Sequence, residues 1–412
     1  MPKLRFPEFR ESGEWGSEFG DAIFDQINNK EHNSDLPVLA ITQEQGAIPR
    51  NLIDYHVSVT DKSIENYKVV EVGDFIISLR SFQGGIEYSS YKGICSPAYV
   101  ILRLKTGYSS DYFKHFLKTS RFIALLTKNL EGLRDGKMVS YKQFSELELP
   151  SPSLNEQQKI ADCLTSLDEL ITLEAQKLDT LKTHKNGLMQ QLFPAEGETL
   201  PQRRFSEVQD TGEWETYPFD EFVANSFYGT SSSTSPRGQY PVLRMGNMVD
   251  GGLDFSNLVY IDLDRNAFES FQLVNGDILM NRTNSPALVG KVSLFCLNLK
   301  CLTASYIVTY RLKKDRIDPS FCNFMLNTAL YQKRIRALAK PSISQANINP
   351  TTFRKELIIF VPALAEQQKI ADCLSSLDHL ITAQSQKLAA LKTHKKGLMQ
   401  QLFPNTYMES TP

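Results

Sequence analysis

Residues 183–194 read THKNGLMQQLFP and residues 393–404 read THKKGLMQQLFP, so nearly the same twelve residues occur twice in the chain. The match extends upstream to Glu156 and Glu366, with 31 identical residues in 39 aligned positions. Because a short functional motif normally diverges outside its own chemistry, a match of this length indicates an internal structural repeat. The repeat decides the expected organisation of the chain.

The repeat also includes the segment that opens each half. Residues 5–15 (RFPEFRESGEW) return as residues 204–214 (RFSEVQDTGEW). Weaker matches fill the interior: residues 37–43 with 241–247, residues 73–80 with 276–283, and residues 98–105 with 306–313. The sequence therefore predicts two homologous units in tandem, each with a divergent part followed by a nearly identical tail.

The tails carry the periodicity of paired helices. From Ile160 to Leu192, apolar residues recur in alternating steps of four and three, with Glu174 and Lys185 as the two polar exceptions. The second tail repeats the pattern from Ile370 to Leu402. This is the seam of a coiled coil, and about 36 helical residues make a rod of roughly 54 Å. We expect the two rods to pair antiparallel with each other; pairing with another protein or a second copy of the chain is the alternative.

The divergent parts, roughly 16–150 and 215–360, contain β-branched and aromatic runs broken by Gly, Pro and Asn, which favour strands. Near the end of each, residues 111–130 and 320–339 predict one apolar-periodic helix. The predicted fold is α+β, with two strand-rich globular domains, two long helices that pair as an antiparallel coiled coil, and a pseudo-twofold internal repeat. The predicted segments are 1–152, 153–194, 195–362, 363–404 and a tail at 405–412.

Composition agrees with a globular protein of the cytoplasm. The 412 residues carry a formal net charge of -2, with 22% charged and 41% hydrophobic residues. The polar N-terminal residues contain no apolar core for a signal peptide, and no run of about 18 apolar residues predicts a membrane span. We therefore expect a cytoplasmic protein without a membrane partner.

The motifs of common enzyme classes are missing. The chain has no phosphate-binding loop, no GxGxxG after a strand, and no metal-binding His pair with the spacing of a zinc site. Residues 348–353 (INPTTF) lack the second proline that an adenine methyltransferase uses to grip the target amine. We expect a non-catalytic chain that binds no metal and no cofactor itself.

Uneven charge favours nucleic-acid binding. Residues 112–142 contain seven Lys or Arg against two acids, and residues 311–356 contain ten against three. Basic faces of this kind suit phosphate backbones, and Arg, Asn and Gln can read base edges. The candidate DNA contacts of the first unit are Gln43, Gln45, Ser78, Arg80, Lys114, Arg134, Lys137 and Lys142. Those of the second unit are Arg244, Asn247, Asn281, Arg282, Asn284, Ser344, Gln345 and Asn347.

Each tail opens with the pattern P-x-L-x-E-Q-x-x-I, at residues 152–160 and 362–370, after a divergent domain. Over essentially its whole length the chain resembles the specificity subunits of Type I restriction-modification enzymes. The resemblance implies two target recognition domains, each of which binds one half of a bipartite, asymmetric site in double-stranded DNA. It also implies a coiled coil that sets the spacing between the halves and docks the methyltransferase subunits.

The resemblance further implies the other members of a complex. Two methyltransferase (modification) subunits would methylate adenine with S-adenosylmethionine, and two restriction/translocase subunits would use ATP and Mg²⁺, so these cofactors belong to the partners. The family motif singles out residues at the two helix starts as candidates for the junction with the methyltransferase, or as helix caps: Glu156, Gln157, Ile160, Glu366, Gln367 and Ile370.

Two other classes of function stay open on the residues alone. A coiled-coil scaffold with protein-binding globular domains would show no salt-dependent affinity for DNA. A stand-alone methyltransferase or nuclease would bind S-adenosylmethionine or a metal ion by itself.

Overall fold

A computed structural model describes residues 1–33, 35–53, 64–128, 139–208, 212–286, 288–341 and 345–404. The chain forms two compact units, Met1–Ala175 with Gln386–Pro412, and Gln176–Ser385. We call them the first and the second unit. Each unit contains one globular part and one portion of each long helix, so the compact units cut across the segments expected from the sequence. The predicted tail at 405–412 lies outside the described residues.

The described part of the first unit alternates short strands and helices. Its helices are α1 (Gly20–Ile23), α2 (Ser81–Gly84), α3 (Ser110–Phe116), α4 (Ser120–Lys128) and α5 (Tyr141–Ser145). Its strands are β1 (Gly16–Phe19), β2 (Phe24–Ile27), β3 (Leu39–Thr42), β4 (Gly46–Pro49), β5 (Lys68–Val70), β6 (Phe75–Ile77), β7 (Glu87–Tyr88), β8 (Gly93–Cys95), β9 (Val100–Leu104) and β10 (Glu148–Ser151). The first long helix, α6 (Leu154–Leu192), follows β10.

The second unit repeats this plan with longer loops. Its helices are α7 (Arg265–Phe271), α8 (Pro319–Leu326), α9 (Ala329–Ala337) and α10 (Pro350–Glu356), and the second long helix is α11 (Leu364–Leu402). Its strands are β11 (Glu215–Pro218), β12 (Val223–Tyr228), β13 (Tyr240–Leu243), β14 (Met248–Val249), β15 (Gly252–Leu253), β16 (Val259–Ile261), β17 (Asp277–Asn281), β18 (Thr283–Asn284), β19 (Val292–Phe295), β20 (Leu302–Thr303), β21 (Ile307–Leu312), β22 (Lys340–Pro341), β23 (Ala346–Asn347) and β24 (Ile358–Val361).

An antiparallel four-stranded sheet forms the centre of each unit. The strand order is β2-β9-β6-β7 in the first unit and β12-β21-β17-β19 in the second. One inner strand of each sheet, β6 or β17, is buried on both faces: Ile278 and Met280 of β17 pack into the larger core of the second unit, while Leu279 packs into a separate cluster with Leu243 and Phe295. Because strand residues alternate between faces, such strands read as continuous apolar runs.

In both sheets, an arginine forms a bidentate ion pair with a buried aspartate at the start of the neighbouring strand. Arg103 of β9 donates to both carboxylate oxygens of Asp74 at 2.8 Å, and Arg311 of β21 does the same to Asp277 at 3.0 and 2.9 Å. These residues are equivalent in the sequence repeat. A bidentate Arg–carboxylate pair fixes the relative orientation of its two side chains. The same two strands are therefore linked in the same way in both sheets.

The helix predicted near the end of each globular part is two helices with a sharp corner. In the described part of these segments, Ser110–Phe116 and Ser120–Lys128 form α3 and α4, and Pro319–Leu326 and Ala329–Ala337 form α8 and α9. A threonine lies at each corner, and its hydroxyl accepts a backbone N–H three residues later: Thr119 from Phe122 at 3.2 Å, and Thr328 from Tyr331 at 3.4 Å. The prediction of one helix was wrong because apolar spacing continues through the corner while the threonines start a new helix.

The long helices pair antiparallel within the chain, as the seam predicts. In the first unit, Asp168 and Glu174 of α6 bind Lys395 and Lys387 of α11, each at 2.5 Å. In the second unit, Lys185 binds Asp378 at 2.6 Å. The seam positions are buried or half-buried along both helices, and Glu174, Lys185 and Lys395, three of the polar residues in the seam, form ion pairs with the facing helix.

Among the described residues, no helix combines the length and the apolar character that crossing a membrane requires.

Candidate nucleic-acid interface

In the second unit, the structure brings four of the predicted DNA contacts together on the small sheet β18-β23-β22. Thr283 faces Asn347 and Asn284 faces Ala346 across β18 and β23. Asn347 and Gln345 are exposed, while Arg282 and Asn284 are half-buried. Guanidinium and amide groups on one short sheet supply the donors and acceptors that base edges require.

Arg282 is held in a defined position at this sheet. Its backbone N–H donates to the carbonyl of Tyr306 at 3.0 Å, and its own carbonyl accepts from Ile348 at 2.8 Å. Its guanidinium lies 5.2 Å from the ring centre of Tyr228, a residue that is 46% exposed. Among the described residues Arg282 forms no ion pair, in contrast to Arg311. Its Nε donates to Thr283 Oγ1 at 3.4 Å. A guanidinium beside an aromatic ring suits recognition of guanine or phosphate through its terminal N–H groups.

A neighbouring loop adds Arg244 to the same area. Asn284 Nδ2 donates to Met245 Sδ at 3.2 Å, which joins the loop at residues 244–247 to the end of β18. Arg244 is exposed, and its Nη2 donates to the carbonyl of Asn257 at 3.3 Å. Arg244 therefore extends the candidate surface beyond the small sheet.

Two predicted contacts of the second unit are buried and have structural roles. Asn247 accepts the N–H of Arg244 at 2.8 Å and donates to the carbonyl of Asp254 at 2.8 Å, so it closes its own loop. Asn281 is fully buried at the end of β17, where its Oδ1 accepts from Thr283 at 3.4 Å. Neither amide is available to a base edge, and both predictions need this correction.

In the first unit, Gln43 and Gln45 are exposed in the turn between β3 and β4, and Arg80 is exposed at the start of α2. A Cβ built at Gly84 would lie 2.6 Å from the side chain of Gln43, so the turn packs directly on α2. Ser78 is buried: its Oγ accepts the N–H of Arg80 at 3.2 Å. Ser78 shapes the loop that presents Arg80, and the prediction that it contacts DNA needs correction.

The other predicted contacts of the first unit are separate from this turn or outside the description. Lys114 is half-buried on α3, with its ammonium 5.1 Å from the ring centre of Tyr88. Lys142 is exposed on α5. Arg134 and Lys137, and Ser344 of the second unit, lie outside the described residues.

The charge excess is smaller than the sequence count suggests. Several basic residues of the two ranges are used in ion pairs within their own unit: Lys118 with Glu87, Arg311 with Asp277, Arg316 with Glu221, Lys333 with Glu196, and Arg354 with Asp220. Counting charge along the sequence cannot separate these residues from free ones, because their partners lie far away in the chain.

Tyr228 is a candidate contact that the sequence reasoning missed. It ends β12, is exposed, and presents a ring beside Arg282. The sequence feature that could have identified it is an aromatic residue at the end of a predicted strand, directly before Gly229.

At both helix starts, an arginine from the repeated RF segment binds the glutamate of the family motif. Arg5 donates to Glu156 at 2.7 and 2.8 Å, and Arg204 donates to Glu366 at 2.8 and 2.6 Å. Both glutamates are 1% exposed. We call these the two clamps. They join the RF segment before each globular part to the long helix that follows that part.

The glutamines of the motif are also used internally. Gln157 accepts the N–H of Ser109, the N-cap of α3, at 2.9 Å, and Gln367 accepts the N–H of Asp318, the N-cap of α8, at 2.8 Å. Each donates to the carbonyl of the proline before its helix at 2.9 Å. The motif therefore connects each long helix to the helical corner of its globular part.

Burial changes the expected role of the six motif residues. Ile160 and Ile370 lie in the main cores, and all six side chains are at most 2% exposed. A direct contact with a methyltransferase would require their internal bonds to break. The alternative role as a helix cap is filled only in part at the first helix: Ser153 Oγ accepts the N–H of Glu156 at 3.4 Å, but the Glu156 carboxylate binds Arg5.

Residues 348–353 have a structural explanation. Asn349 is the N-cap of α10, and its Oδ1 accepts from Thr351 at 2.8 Å and from Thr352 at 3.1 Å. Pro350 occupies the first turn, where its missing N–H is harmless. The Asn-Pro pair is a helix start.

His115 is a buried titratable group of the first unit. Its ring is 4% exposed and lies near Thr165, Asp168 and Lys395 of the paired helices. Burial, with the nearby Lys395 and Lys114 charges, lowers the pKa of His115 from 6.5 to about 4 despite Asp168. The folded chain then binds fewer protons than the unfolded chain between these values, so stability is complete above about pH 6.5 and falls toward pH 4.

The expected size of the pH effect is on the order of 3 kcal/mol. Phe324 occupies the equivalent position in the second unit, six residues after its own N-cap. We expect His115→Phe to remove most of the loss between pH 6.5 and 4.5, measured by urea unfolding of the first unit. An unchanged pH dependence in this variant would assign the loss to other groups.

The sequence matches the family model described as "Type I restriction modification DNA specificity domain" twice, over residues 19–183 and 212–393. The Type I restriction enzyme MjaVIII specificity subunit of Methanocaldococcus jannaschii is 25% identical over 361 residues, or 84% of this chain and 81% of that protein. The putative MjaX specificity subunit of the same organism is 29% identical over 182 residues, which span 44% of this chain and 43% of that protein.

The fold is also similar to a solved structure, the S subunit of a Type I restriction-modification system from M. genitalium. The two chains share 15% identity and superpose with a TM-score of 0.59 over 99% of this chain and 100% of that chain. At this identity the similarity supports the fold alone. Each sequence match covers one globular part and most of the long helix that follows it, and together they cover most of the sequence. This chain belongs to the family of Type I restriction-modification DNA specificity subunits.

Proposed function

We propose that the first unit reads one half of a bipartite DNA site and the second unit reads the other half. The observation that carries the proposal is the contrast within the repeat. The clamps and the glutamine contacts recur residue by residue, whereas the side chains at the candidate surfaces differ: Gln43, Gln45 and Arg80 against Arg244, Arg282 and Asn347. Two globular parts with the same internal contacts and different surface side chains suit recognition of two different half-sites.

We propose that the paired long helices set the gap between the half-sites. A helix of 39 residues is long enough for a separation of about one turn of DNA, since each residue adds about 1.5 Å. The shared seam would keep this length constant. The number of helical residues would then determine the number of base pairs in the gap.

We propose that the same helices dock two methyltransferase subunits. Leu170 and Leu380 occupy equivalent positions on α6 and α11, and they are 38% and 55% exposed. Leu154 and Leu364 form a second equivalent pair, 48% and 43% exposed. Equivalent exposed leucines on both helices, next to nearly identical neighbours, fit two copies of one partner. Two restriction/translocase subunits would complete the complex. S-adenosylmethionine, ATP and Mg²⁺ would bind to the partner subunits, and the complex would act in the cytoplasm.

Specificity subunits recognise DNA and are not the catalytic part of their systems, so the test requires the assembled complex. We expect a host that expresses this chain with its methyltransferase subunit to acquire methyladenine in both halves of a new bipartite motif with a fixed gap. The measurement is single-molecule methylome sequencing, with a control strain that lacks only this chain.

Unchanged methylation in the presence of an assembled methyltransferase would contradict the proposal and favour the scaffold. Two further observations separate the alternatives. A scaffold with protein-binding domains would show no salt-dependent affinity for DNA, because it would make no phosphate contacts. A stand-alone methyltransferase would bind S-adenosylmethionine as the isolated chain.

A further inference from the structure

The turn between β3 and β4 carries Gln43 and Gln45, the two exposed amides that the first unit offers to DNA. Thr42 closes this turn: its Oγ1 donates to the carbonyl of Gly46 at 3.0 Å and accepts from the N–H of Gln45 at 3.1 Å. These local bonds give the turn its shape. They do not fix its position against the rest of the unit.

Lys118 forms the bond that connects this turn to the helical corner. It lies between α3 and α4, and its ammonium donates to the carbonyl of Gln43 at 3.1 Å and to the carboxylate of Glu87 at 2.5 Å. The Glu87 side chain is 4% exposed and that of Lys118 is 28% exposed. Charge-assisted hydrogen bonds in such surroundings are stronger than neutral ones. One ammonium group therefore joins the turn, strand β7 and the corner.

Close backbone contacts leave the turn little freedom beside this bond. Gly46 has a φ of +71°, and a Cβ at this position would lie 2.5 Å from the carbonyl of Tyr88. On the other side, the side chain of Gln43 lies against Gly84 of α2. A shift of the turn would therefore move Gln43 and Gln45 relative to Arg80, which precedes the same helix.

The second unit makes the corresponding connection with neutral groups. At the end of α8, Asn323 donates to the carbonyl of Gly251 at 2.9 Å, in the turn between β14 and β15. Asn327 donates to the carbonyl of Val292 in β19 at 3.3 Å. Strand β19 holds the same place in its sheet as β7. A helical corner thus fixes a hairpin turn in both units, through an ion pair in one and amides in the other.

We propose that Lys118 is a positioning residue for base recognition, which fixes the turn at Gln43 and Gln45 and thereby sets the base preference of the half-site that the first unit reads. The inference rests on the proposed function, because it assigns this turn to DNA. A lysine that only stabilised the fold would change the amount of active protein and leave the preferred bases unchanged.

The test compares Lys118→Met with the parent chain, each assembled with the methyltransferase subunit. The measurement is the base found at each position of the methylated half-sites. We expect the preference at one or more positions of the first half-site to fall by about tenfold, as for the loss of one good base contact, while the second half-site stays unchanged. Burial already raises the pKa of Glu87, so this carboxyl group can take up a proton when Lys118 is removed. The variant should therefore still fold.

Lys92→Met is the matched control, because Lys92 forms an exposed ion pair with Glu71 in the same unit and its loss removes the same charge. It should leave both half-sites unchanged. Lys118→Arg keeps a charged donor for Glu87 and should retain most of the preference. Unchanged bases in Lys118→Met, or an equal loss of methylation at all sites with a lower melting temperature, would overturn the inference. Failure of the parent chain to produce a bipartite motif would instead count against the proposed function.

Discussion

Replacing Glu366 by alanine is expected to lower the free energy of unfolding of the second unit by about 3 to 5 kcal/mol. The Arg204 and Glu366 side chains are 10% and 1% exposed, and two short hydrogen bonds join them. Without Glu366 the guanidinium stays largely buried and loses its carboxylate. Because Arg204 lies before the globular part of the second unit and Glu366 lies in the helix that follows it, the loss should affect the whole unit.

The two tryptophans of the chain allow each unit to be followed separately. Trp15 belongs to the first unit, and Trp214 is buried in the main core of the second. In a Trp15→Phe background, urea unfolding followed by Trp214 fluorescence reports the second unit alone. Glu207→Ala is the matched control. It breaks an exposed ion pair with Lys369, which lies three residues after Glu366 on α11, and it should change the free energy of unfolding little.

The double variant Arg204→Met with Glu366→Leu should recover part of the loss, because no unpaired charge remains buried. If Glu366→Ala unfolds at the same urea concentration as Glu207→Ala, the clamp does not hold the unit together. The equivalent variant Glu156→Ala is followed by the fluorescence of Trp15. If Glu366→Ala lowers the free energy of unfolding of its unit and Glu156→Ala does not, the two clamps are not equivalent.

Replacing Arg282 by alanine is expected to weaken recognition of the second half-site by about 1 to 3 kcal/mol, or roughly 5- to 150-fold. Arg282 has no ion-pair partner among the described residues, its backbone is fixed on both sides, and its guanidinium lies over the ring of Tyr228. An ordered guanidinium of this kind loses little conformational freedom on binding. The effect should therefore appear as lost discrimination at one base position.

Arg282→Lys separates charge from geometry. It keeps the positive charge and loses both the planar donors and the stacking on Tyr228, so affinity at low salt should be retained better than discrimination. Arg265→Ala is the matched control: this residue is 87% exposed and paired with Glu269 on α7. The measurement is the affinity of the assembled complex for duplexes that carry single changes in either half-site.

A uniform loss across all duplexes, with a smaller salt dependence, would reassign Arg282 to a phosphate contact. A change at the first half-site would contradict the assignment of one half-site to each unit. Equal behaviour of Arg282→Ala and Arg265→Ala would remove Arg282 from the interface.

The long helices could be predicted well because their signal is local. The seam repeats every seven residues, so the sequence alone indicates both the helices and their mutual pairing. The helical corners were missed for the opposite reason. Apolar spacing continues across Thr119 and Thr328, and only the hydroxyl contacts at the next helix start show that the chain turns there.

The candidate site was predicted in part. The sequence selected Arg282, Asn284, Gln345 and Asn347 as polar groups near turn residues in two distant segments. It did not indicate that these segments pair in one small sheet, which is a long-range contact. Asn247 and Asn281 were assigned incorrectly because the composition of a loop does not reveal which amide points inward. Asn281 is buried by the pairing of β17 with two other strands, which is a tertiary effect.

The clamps could have been found from the repeat. Arg5 and Glu156 are 151 residues apart, so neither residue alone predicts the other. Both are kept in the second copy as Arg204 and Glu366, in segments that otherwise diverge at several positions. Opposite charges kept together in both copies of an internal repeat indicate a contact, and the structure contains it twice.

The most direct test of the central claim shortens both long helices by one heptad, through deletion of residues 171–177 and 381–387. This deletion keeps the seam in phase and removes Glu174 together with its partner Lys387. Seven residues correspond to about 10 Å of helix, or about three base pairs. If the units read separate half-sites and the helices set the gap, methylome sequencing will show the two half-sites unchanged and a gap shortened by up to about three base pairs. Methylation of the original motif with its original gap would contradict the claim.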